Sequence, residues 1–277
     1  MQSDAHGHEQ SSRASLLQTS AMKIRIDKLL VERNLAPTRE RAQAMILAGR
    51  VLVNEQKIEK AGTSVVEDSR IRILGEDLRY VSRGGLKLER ALDNWMIDCT
   101  NKIGLDVGAS TGGFTDCLLQ RGAAKVVAID TGYGQIDARL RADARVRLLE
   151  KVNARYLEPD QLPEDIDLIV MDVSFISATL VLPAVLRAAR EGKRVHRREL
   201  VVLVKPQFEV GREQVGKGGI VRDAAAQAGA VEKVRSAVME LDGGQIEVID
   251  SPILGTEGNR EFLLHAVFEG GARNGTP

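Results

Sequence analysis

The segment IGLDVGASTGGF, residues 103–114, decides the fold of the larger part of this chain. It opens with the apolar run Ile103–Val107, turns through a glycine-rich stretch and leads into a predicted helix over Phe114–Gln120. The next apolar run, KVVAID, ends on Asp130. A strand, a tight turn, a helix and a second strand in this order predict a parallel sheet with helices on both faces.

The same alternation continues toward the end of the chain. Further strands are predicted over Val146–Val152, Ile166–Asp172, Leu200–Val204, Ile246–Pro252 and Glu261–Phe268. Helices are predicted over Asp137–Ala142, Thr179–Ala189 and Ala224–Leu241. The fold class expected from this pattern is α/β, with one sheet covered on both sides.

The segment before this sheet, residues 22–83, differs in charge and in pattern. It has 13 cationic against 9 anionic residues, whereas the whole chain has 39 of each. Helices are expected at Ile26–Arg33 and, after Thr38 as the N-cap, at Arg39–Ala48. Short strands should follow at 51–54 and within 66–74. This basic asymmetry points to a polyanionic partner, although the same cations could form an ordinary solvated helical face.

Composition excludes several classes of protein. A net charge of 0 is incompatible with a strongly basic nucleic-acid coat protein and with an acidic disordered chain. Two cysteines cannot build a disulfide scaffold, so we expect a cytoplasmic protein. No apolar run approaches the roughly 18 residues of a membrane span. Residues 1–21 are polar and are expected to be a disordered tail, and residues 271–277 a flexible C-terminus.

The glycine-rich turn after the first strand predicts a ligand site. Glycines let the backbone approach a ligand closely, and Asp130 at the end of the next strand can accept hydrogen bonds from ribose hydroxyls. The turn departs from the known dinucleotide and phosphate-binding patterns, and Asp106 at its start would repel a pyrophosphate. An acidic residue there suits a cationic ligand, such as the amino group of S-adenosylmethionine.

Four further polar residues are expected at the same edge of the sheet. Asp172 and Lys205 each end a buried strand, Lys87 begins a helix before the first strand, and Glu261 begins the last strand. Each alone could form a structural ion pair, because a buried ammonium must be paired. Together, beside a nucleoside site, they suggest catalysis on a ribose hydroxyl. Lys205 would accept its proton, Asp172 would orient the lysine, and Lys87 and Glu261 would position the ribose.

These residues resemble the K-D-K-E tetrad of the FtsJ-class ribose 2′-O-methyltransferases. The stretch RIDKLLVERNLAPTRERAQAMILAGRVLVN is similar to the RNA-binding module named after the small-subunit ribosomal protein S-four. With SRGGLKL, DVGASTGGF, MDVSFIS, VKPQFEVG and GKGGIVRD, the chain resembles the TlyA family over residues 22–270. That family is often labelled haemolysin, but we find no segment able to breach a bilayer.

The resemblance implies a class I Rossmann-like methyltransferase sheet behind a small α+β RNA-binding domain. It also implies S-adenosyl-L-methionine as methyl donor and 2′-O-methylation of cytidine in 16S or 23S ribosomal RNA. We assign residues 22–80 to the RNA-binding domain, 81–85 to a linker and 86–270 to the methyltransferase domain. The expected partners are ribosomal RNA and ribosomal subunits, and we expect a monomer.

The predicted site residues fall into three groups, and no metal site is predicted. The catalytic group is Lys87, Asp172, Lys205 and Glu261. The cofactor-binding group is Asp106, Gly108, Ser110, Thr111, Gly112, Gly113, Phe114, Asp130, Asn153 and Asp172. The RNA-binding group is Arg25, Lys28, Arg39, Arg41, Arg50 and Arg83.

Three other kinds of protein share parts of this pattern. A dehydrogenase would use a glycine-rich turn and a strand-end acid, but it would not need the four catalytic residues together. A pseudouridine synthase can have the same N-terminal module, but its catalytic domain lacks this alternation of strands and helices. A non-catalytic protein of ribosome assembly, binding the same RNA, is the strongest alternative.

Overall fold

The computed structural model divides the chain into two compact units, Met1–Asp77 and Leu78–Pro277. It describes residues 23–74, 79–191, 197–255 and 258–269. The predicted tail over 1–21 and the predicted flexible C-terminus over 271–277 lie outside these residues.

The first unit is a small α+β module. Its elements are β1 (Lys23–Arg25), α1 (Ile26–Glu32), α2 (Arg39–Leu47), β2 (Val51–Val53), β3 (Gln56–Lys57), β4 (Ser64–Val66) and β5 (Ile71–Ile73). Strand β1 pairs antiparallel with β4, and β2 lies between β3 and β5. Thr38 caps α2, because its Oγ1 accepts a hydrogen bond from the backbone N–H of Arg41.

The core of this module lies between its two helices and its strands. Ile26, Leu29 and Leu30 recur at helical spacing and are buried, as are Met45 and Ile46 of α2. The predicted helices are therefore present, with ends that differ by one residue. The pairing of β1 with β4 was not predicted, since three-residue strands show no readable alternation.

The second unit contains one large sheet. Its strands are β6 (Ile103–Val107), β7 (Lys125–Asp130), β8 (Val146–Glu150), β9 (Leu168–Met171), β10 (Arg197–Val204), β11 (Gly244–Asp250) and β12 (Phe262–Glu269). Its α-helices are α3 (Gly84–Asn94), α4 (Gly113–Gln120), α5 (Ala138–Ala142), α6 (Ala178–Arg190), α7 (Pro206–Glu209) and α8 (Ala224–Glu240). Short 3₁₀ turns lie at Ala154–Tyr156, Pro159–Gln161 and Arg212–Gln214.

The strand order in this sheet is β11-β12-β10-β9-β6-β7-β8. Neighbours from β10 to β8 run parallel, and β12 is antiparallel to both of its neighbours. Alternate residues of the central strands belong to two separate apolar clusters, one on each face. The strand order reverses between β6 and β9, and sheets of this kind bind ligands beyond the carboxyl ends of the strands at such a point.

The first residues of the second unit pack into its core. Tyr80 is 2% exposed and lies in the same cluster as Leu88 of α3. A Cβ on Gly85 would come within 2.3 Å of the Tyr80 ring, so only glycine lets α3 pack this closely against it. Helix α3 also begins at Gly84, inside the segment that we had assigned to a linker. We therefore propose that the second domain begins before Tyr80 rather than at residue 86.

Candidate active site

The glycine-rich turn after β6 approaches the end of β9 very closely. Gly108 has a φ of +88°, and a Cβ at this position would lie 2.5 Å from the backbone oxygen of Asp172. Only glycine fits this contact, because the conformation and the space both exclude a side chain. The turn therefore brings the backbone of β6 against Asp172, where the strand order reverses.

Asp130 fixes the shape of the same turn. Its two carboxylate oxygens accept hydrogen bonds from the backbone N–H groups of Ser110 and Gly132, each at 2.7 Å. Ser110 has a positive φ of +49°, so this hydrogen bond holds an uncommon backbone conformation. A carboxylate has about four acceptor positions, so Asp130 retains capacity for ligand hydroxyls.

Two cavities adjoin this turn. The larger of the two, about 380 Å³, opens at the carboxyl ends of β6, β7 and β9. Its apolar wall includes Ile129, Val152 and Val181, and its polar wall includes Asp130 and Asn153. One apolar slot beside a strand-end carboxylate suits a nucleoside, whose base is flat and whose ribose has two neighbouring hydroxyls.

A smaller cavity of about 290 Å³ adjoins the larger one. Both cavities are lined by Gly108, Ser110, Asp172 and Ser174. The smaller cavity is lined in addition by Arg83, Lys87, Thr111, Gly113, Phe114, Lys205 and Glu261. The structure thus brings all four predicted catalytic residues to the walls of one cavity, which shares residues with a nucleoside-sized neighbour.

Lys205 and Asp172 form an ion pair at the boundary between the two cavities. Lys205 Nζ lies 2.5 Å from Asp172 Oδ1 and donates a hydrogen bond to Ser174 Oγ at 2.7 Å. The two charged side chains are 11% and 21% exposed. Asp172 and Ser174, two positions apart just after β9, fix the amine, and Lys205 also lines the smaller cavity.

Lys87 and Glu261 form a second ion pair in the smaller cavity. Lys87 Nζ donates to Glu261 Oε2 at 2.6 Å, and both side chains are almost fully buried. A Cβ on Gly255 would lie 2.5 Å from Glu261 Oε1, so that glycine leaves room for the carboxylate. The pair joins α3 to the start of β12 across 174 positions of sequence.

Asp106 does not line either cavity, so its predicted contact with a ligand stays a prediction. It is 1% exposed beneath the turn, where its Oδ2 accepts a hydrogen bond from Thr115 Oγ1 at 2.6 Å. Burial raises the pKa of Asp106 to about 7, against the opposing effect of the Thr115 hydrogen bond. The hydrogen bond to Thr115 joins the end of β6 to α4 and supports the turn between them.

The remaining predicted cofactor residues divide between the two cavities. Gly108, Ser110, Asp130, Asn153 and Asp172 line the larger cavity. Thr111, Gly113 and Phe114 line only the smaller one. Gly112 lines neither cavity. It is the N-cap of α4 and has a φ of +94°. A Cβ at this position would lie 2.3 Å from Leu140 Cδ1, so the site requires glycine.

Most of the predicted RNA-binding cations lie on the first unit. Arg25 and Arg39 both pair with Asp27, and Lys28 lies 3.5 Å from Glu32 one helical turn away. The Nε of Arg50 donates to the backbone oxygen of Leu74 at 2.8 Å. Arg41 is partly exposed on α2, and Arg83 lines the smaller cavity of the second unit.

Glu209, which the sequence did not single out, connects the two segments that hold the ion pair of Lys205 and Asp172. Its buried carboxylate accepts from Ser177 Oγ at 2.5 Å and from the backbone N–H of Ala178 at 2.7 Å. Lys233 of α8 donates to its backbone oxygen at 2.8 Å. The KPQFE segment after β10 is thereby anchored to the start of α6.

Phe175 is a second residue that sequence reasoning missed. It is 93% exposed, has a φ of +64°, and lines the larger cavity. Its ring lies 5.4 Å from that of Phe208 in a tilted arrangement. Phe208 is partly buried, so this contact supports the exposed ring of Phe175 from one side. The segment MDVSFIS includes this phenylalanine, but the sequence alone does not indicate that its side chain is exposed.

Comparisons with known proteins agree with this geometry. Residues 80–268 match the FtsJ-like methyltransferase family, and residues 24–71 match the S4 domain. The chain is 43% identical over 245 residues to the 16S/23S rRNA (cytidine-2′-O)-methyltransferase TlyA of Mycobacterium tuberculosis, covering 88% of this chain and 90% of that protein. It is 39% identical to Hemolysin A of Brachyspira hyodysenteriae, covering 88% and 100% of the two chains.

A solved structure of a hemolysin-named protein from Streptococcus thermophilus has the same fold. The TM-score is 0.69 and the identity 41%, with 93% of each chain covered. Among the described residues, no helix has the length and apolarity that a membrane crossing requires. The predicted α/β sheet and the family resemblance are confirmed. The chain belongs to the FtsJ-like methyltransferase family and has an S4 domain at its N-terminal end.

Proposed function

We propose that this enzyme transfers a methyl group from S-adenosylmethionine to the 2′-hydroxyl of a cytidine in ribosomal RNA. The observation that supports this most directly is the meeting of the two cavities at Gly108 and Asp172. One cavity has the walls of a nucleoside site, and the other holds two lysines and two carboxylates. The relative from M. tuberculosis, whose name states this reaction, supports the choice of acceptor.

The larger cavity fits the cofactor by several features of its residues. Asp130 is placed to accept from ribose hydroxyls, and Ile129 and Val152 provide apolar surface for a base. Gly108 lines this cavity and has no side chain, so its backbone can be approached by a ligand. The carboxylates of Asp130 and Asp172 line this cavity, which favours a cationic ligand there. S-adenosylmethionine supplies an electrophilic methyl group on a positively charged sulfur.

Lys205 is the residue that we propose as proton acceptor. A ribose hydroxyl in the smaller cavity would lose its proton to Lys205 Nζ, which must first have given up its own extra proton and be a neutral amine. As the proton leaves, the hydroxyl oxygen would form its bond to the methyl carbon, the bond from that carbon to the sulfur would break, and S-adenosylhomocysteine would be released. Asp172 and Ser174 hold the amine in place, which is the positioning that in-line displacement requires. Lys87 and Glu261, which line the same cavity, present a donor and an acceptor for the other polar groups of the nucleotide.

Two further residues extend the acceptor site beyond the reacting atoms. A base that is unstacked from the RNA can stack on the exposed ring of Phe175, which the contact with Phe208 supports. Arg83 at the smaller cavity is placed to meet a phosphate of the same strand. The S4 domain would bind the RNA substrate.

The test uses purified protein, tritium-labelled S-adenosylmethionine and ribosomal subunits from cells that lack the modification. We expect label in ribosomal RNA, and we expect S-adenosylmethionine but not NAD to raise the melting temperature. Stabilisation by neither compound, together with intact binding of subunits, would instead favour the non-catalytic assembly protein. Label in protein rather than RNA would contradict the proposed acceptor.

A further inference from the structure

The S4 domain contains a fully buried carboxylate that holds two half-exposed arginines. Asp27 lies in the first turn of α1 and is 0% exposed. Its oxygens accept from Arg25 Nε at 3.0 Å, from Arg25 Nη2 at 2.9 Å and from Arg39 Nη2 at 2.9 Å. Gln43 Nε2 of α2 adds a fourth hydrogen bond at 3.1 Å. These contacts hold the pKa of Asp27 well below its usual range, chiefly through the hydrogen bonds from Arg25.

The two arginines face solvent although their anchor is buried. Their side chains are 52% and 53% exposed. A guanidinium has five N–H donors, so each arginine retains donors that Asp27 does not use. A Cβ on Gly62 would lie 3.6 Å from Cζ of Arg25, so the guanidinium also packs over the loop before β4. Both side chains are therefore fixed at one end and accessible at the other.

The two guanidiniums are also close to each other. Nη2 of Arg25 and Nη2 of Arg39 both lie 2.9 Å from the same oxygen, Asp27 Oδ2, so they are less than about 6 Å apart. Two such cations would repel each other without the carboxylate between them. With it, the group keeps one net positive charge and a fixed geometry, which suits the oxygens of a single phosphate.

We propose that Asp27 is the positioning residue of an arginine clamp, formed by Arg25 and Arg39, that binds a backbone phosphate of the RNA. The clamp rests on the proposed function, because the S4 domain must bind RNA for the clamp to have a ligand. Its advantage is that two long side chains are ordered before the RNA arrives, so less conformational entropy is lost on binding.

The test is Asp27→Asn in the full chain, with purified ribosomal subunits as the probe and filter binding at fixed salt as the measurement. Charge alone predicts tighter binding, since the substitution removes an anion from an RNA-binding surface. The clamp predicts the opposite, a loss of affinity of about tenfold or more, because the guanidiniums are no longer fixed.

Glu59→Gln is the matched control, since Glu59 is an exposed carboxylate on the same unit and its substitution causes the same charge change. This variant should bind the subunits at least as tightly as the parent chain. If Asp27→Asn binds as tightly as Glu59→Gln, the clamp is refuted and RNA binding by the domain still stands. If the parent chain binds no subunits, the proposed function itself fails and the clamp fails with it.

A second pair of variants decides the question if Asp27→Asn unfolds the domain, as circular dichroism would show. Arg39→Gln keeps a donor for Asp27 but removes the fixed cation. Arg41→Gln removes a cation two positions away on the same helix, and no ion pair joins Arg41 to Asp27 within the part of the chain that the structure describes. We expect a loss of about tenfold for the first and about threefold for the second. Equal losses would refute the clamp.

Discussion

Replacing Lys205 with methionine separates a catalytic lysine from one that only completes an ion pair. Methionine keeps much of the length and apolar surface of the lysine side chain but has no amine. In the native site the amine contacts Asp172 at 2.5 Å and Ser174 at 2.7 Å, and its side chain is 11% exposed. The substitution therefore removes the proposed proton acceptor and leaves the carboxylate of Asp172 without its cation.

The expected effects on rate and on stability differ in size. A positioned proton acceptor contributes a factor of about 10² to 10⁴ in rate, which corresponds to about 3–5 kcal/mol of activation free energy. Breaking a fully buried ion pair costs about 3–5 kcal/mol of stability. The Asp172 side chain is 21% exposed, so water compensates in part and we expect a smaller loss of about 1–2 kcal/mol.

The assay is single-turnover methyl transfer to ribosomal subunits, with calorimetry for the affinity of S-adenosylmethionine and chemical denaturation for stability. Lys205→Met should bind the cofactor within a few-fold of the parent chain, since the proposed cofactor contacts are made by other residues. The double variant Lys205→Met/Asp172→Asn should regain most of the lost stability, because no charge is left unpaired. It should not regain activity.

Two outcomes would refute this assignment. A rate within about fivefold of the parent chain would show that Lys205 has no part in proton transfer. Recovery of activity together with stability in the double variant would show that the ion pair matters only for folding. The matched control is Lys125→Met, because Lys125 also pairs with a carboxylate but lies at the opposite end of β7 from the cavities. Lys233→Met is unsuitable, because Lys233 contacts Glu209, which anchors the segment that follows Lys205.

Three further predictions concern residues around the catalytic pair. Asp130→Ala should weaken S-adenosylmethionine binding about 10- to 100-fold in calorimetry, because the turn loses two charge-assisted hydrogen bonds; unchanged affinity would contradict its role. Glu209→Gln should lower kcat about tenfold with KM for the cofactor nearly unchanged, since it anchors the Lys205 segment, and an equal rise in KM would point to general loosening. Asp106 holds its proton in the folded state from about pH 4 to pH 7, where the unfolded chain has lost it, so its contribution to stability falls as pH rises through that window. Between pH 5 and pH 8, the free energy of unfolding should therefore fall by about 2–3 kcal/mol less in Asp106→Asn than in the parent chain. An identical fall in both proteins would contradict the raised pKa of Asp106.

The sequence predicted the large sheet well because its strands are buried on both faces. Continuous apolar runs such as Ile103–Val107 and Leu200–Val204 can be recognised without knowledge of their neighbours. The strands of the S4 domain are only two or three residues long, so β1 and β4 depend on contacts with each other that no local pattern records. The position of Tyr80 was missed for the same reason, since its burial depends on contact with α3.

The sequence also placed the four proposed catalytic residues at one edge of the sheet, but it could not give their partners. Parallel strands that end in Asp172 and Lys205 must meet at the same end of the sheet, whereas the pairing of Lys87 with Glu261 depends on how α3 packs. Asp106 was expected at the ligand because it begins the turn. Its side chain is buried and hydrogen-bonded to Thr115. Because the strand is buried on both faces, the sequence does not show which face a given side chain belongs to.

The same reasoning explains why the anchors of functional side chains were missed. Glu209 and Asp27 are acidic residues in ordinary local sequence, and each acts through partners that are distant along the chain. In the sequence, arginines on a solvated helical face cannot be distinguished from a pre-ordered pair of arginines. The buried carboxylate between Arg25 and Arg39 distinguishes them, and only the fold shows it.

The most direct test of the central claim is the chemical position of the transferred methyl group. Ribosomal RNA from unmodified subunits, incubated with the purified enzyme and S-adenosylmethionine, is digested to nucleosides and analysed by mass spectrometry. We predict a cytidine methylated on its ribose, resistant to alkaline cleavage at that position and absent when Lys205→Met replaces the enzyme. A methyl group on a base, or an equal yield with Lys205→Met, would contradict the account.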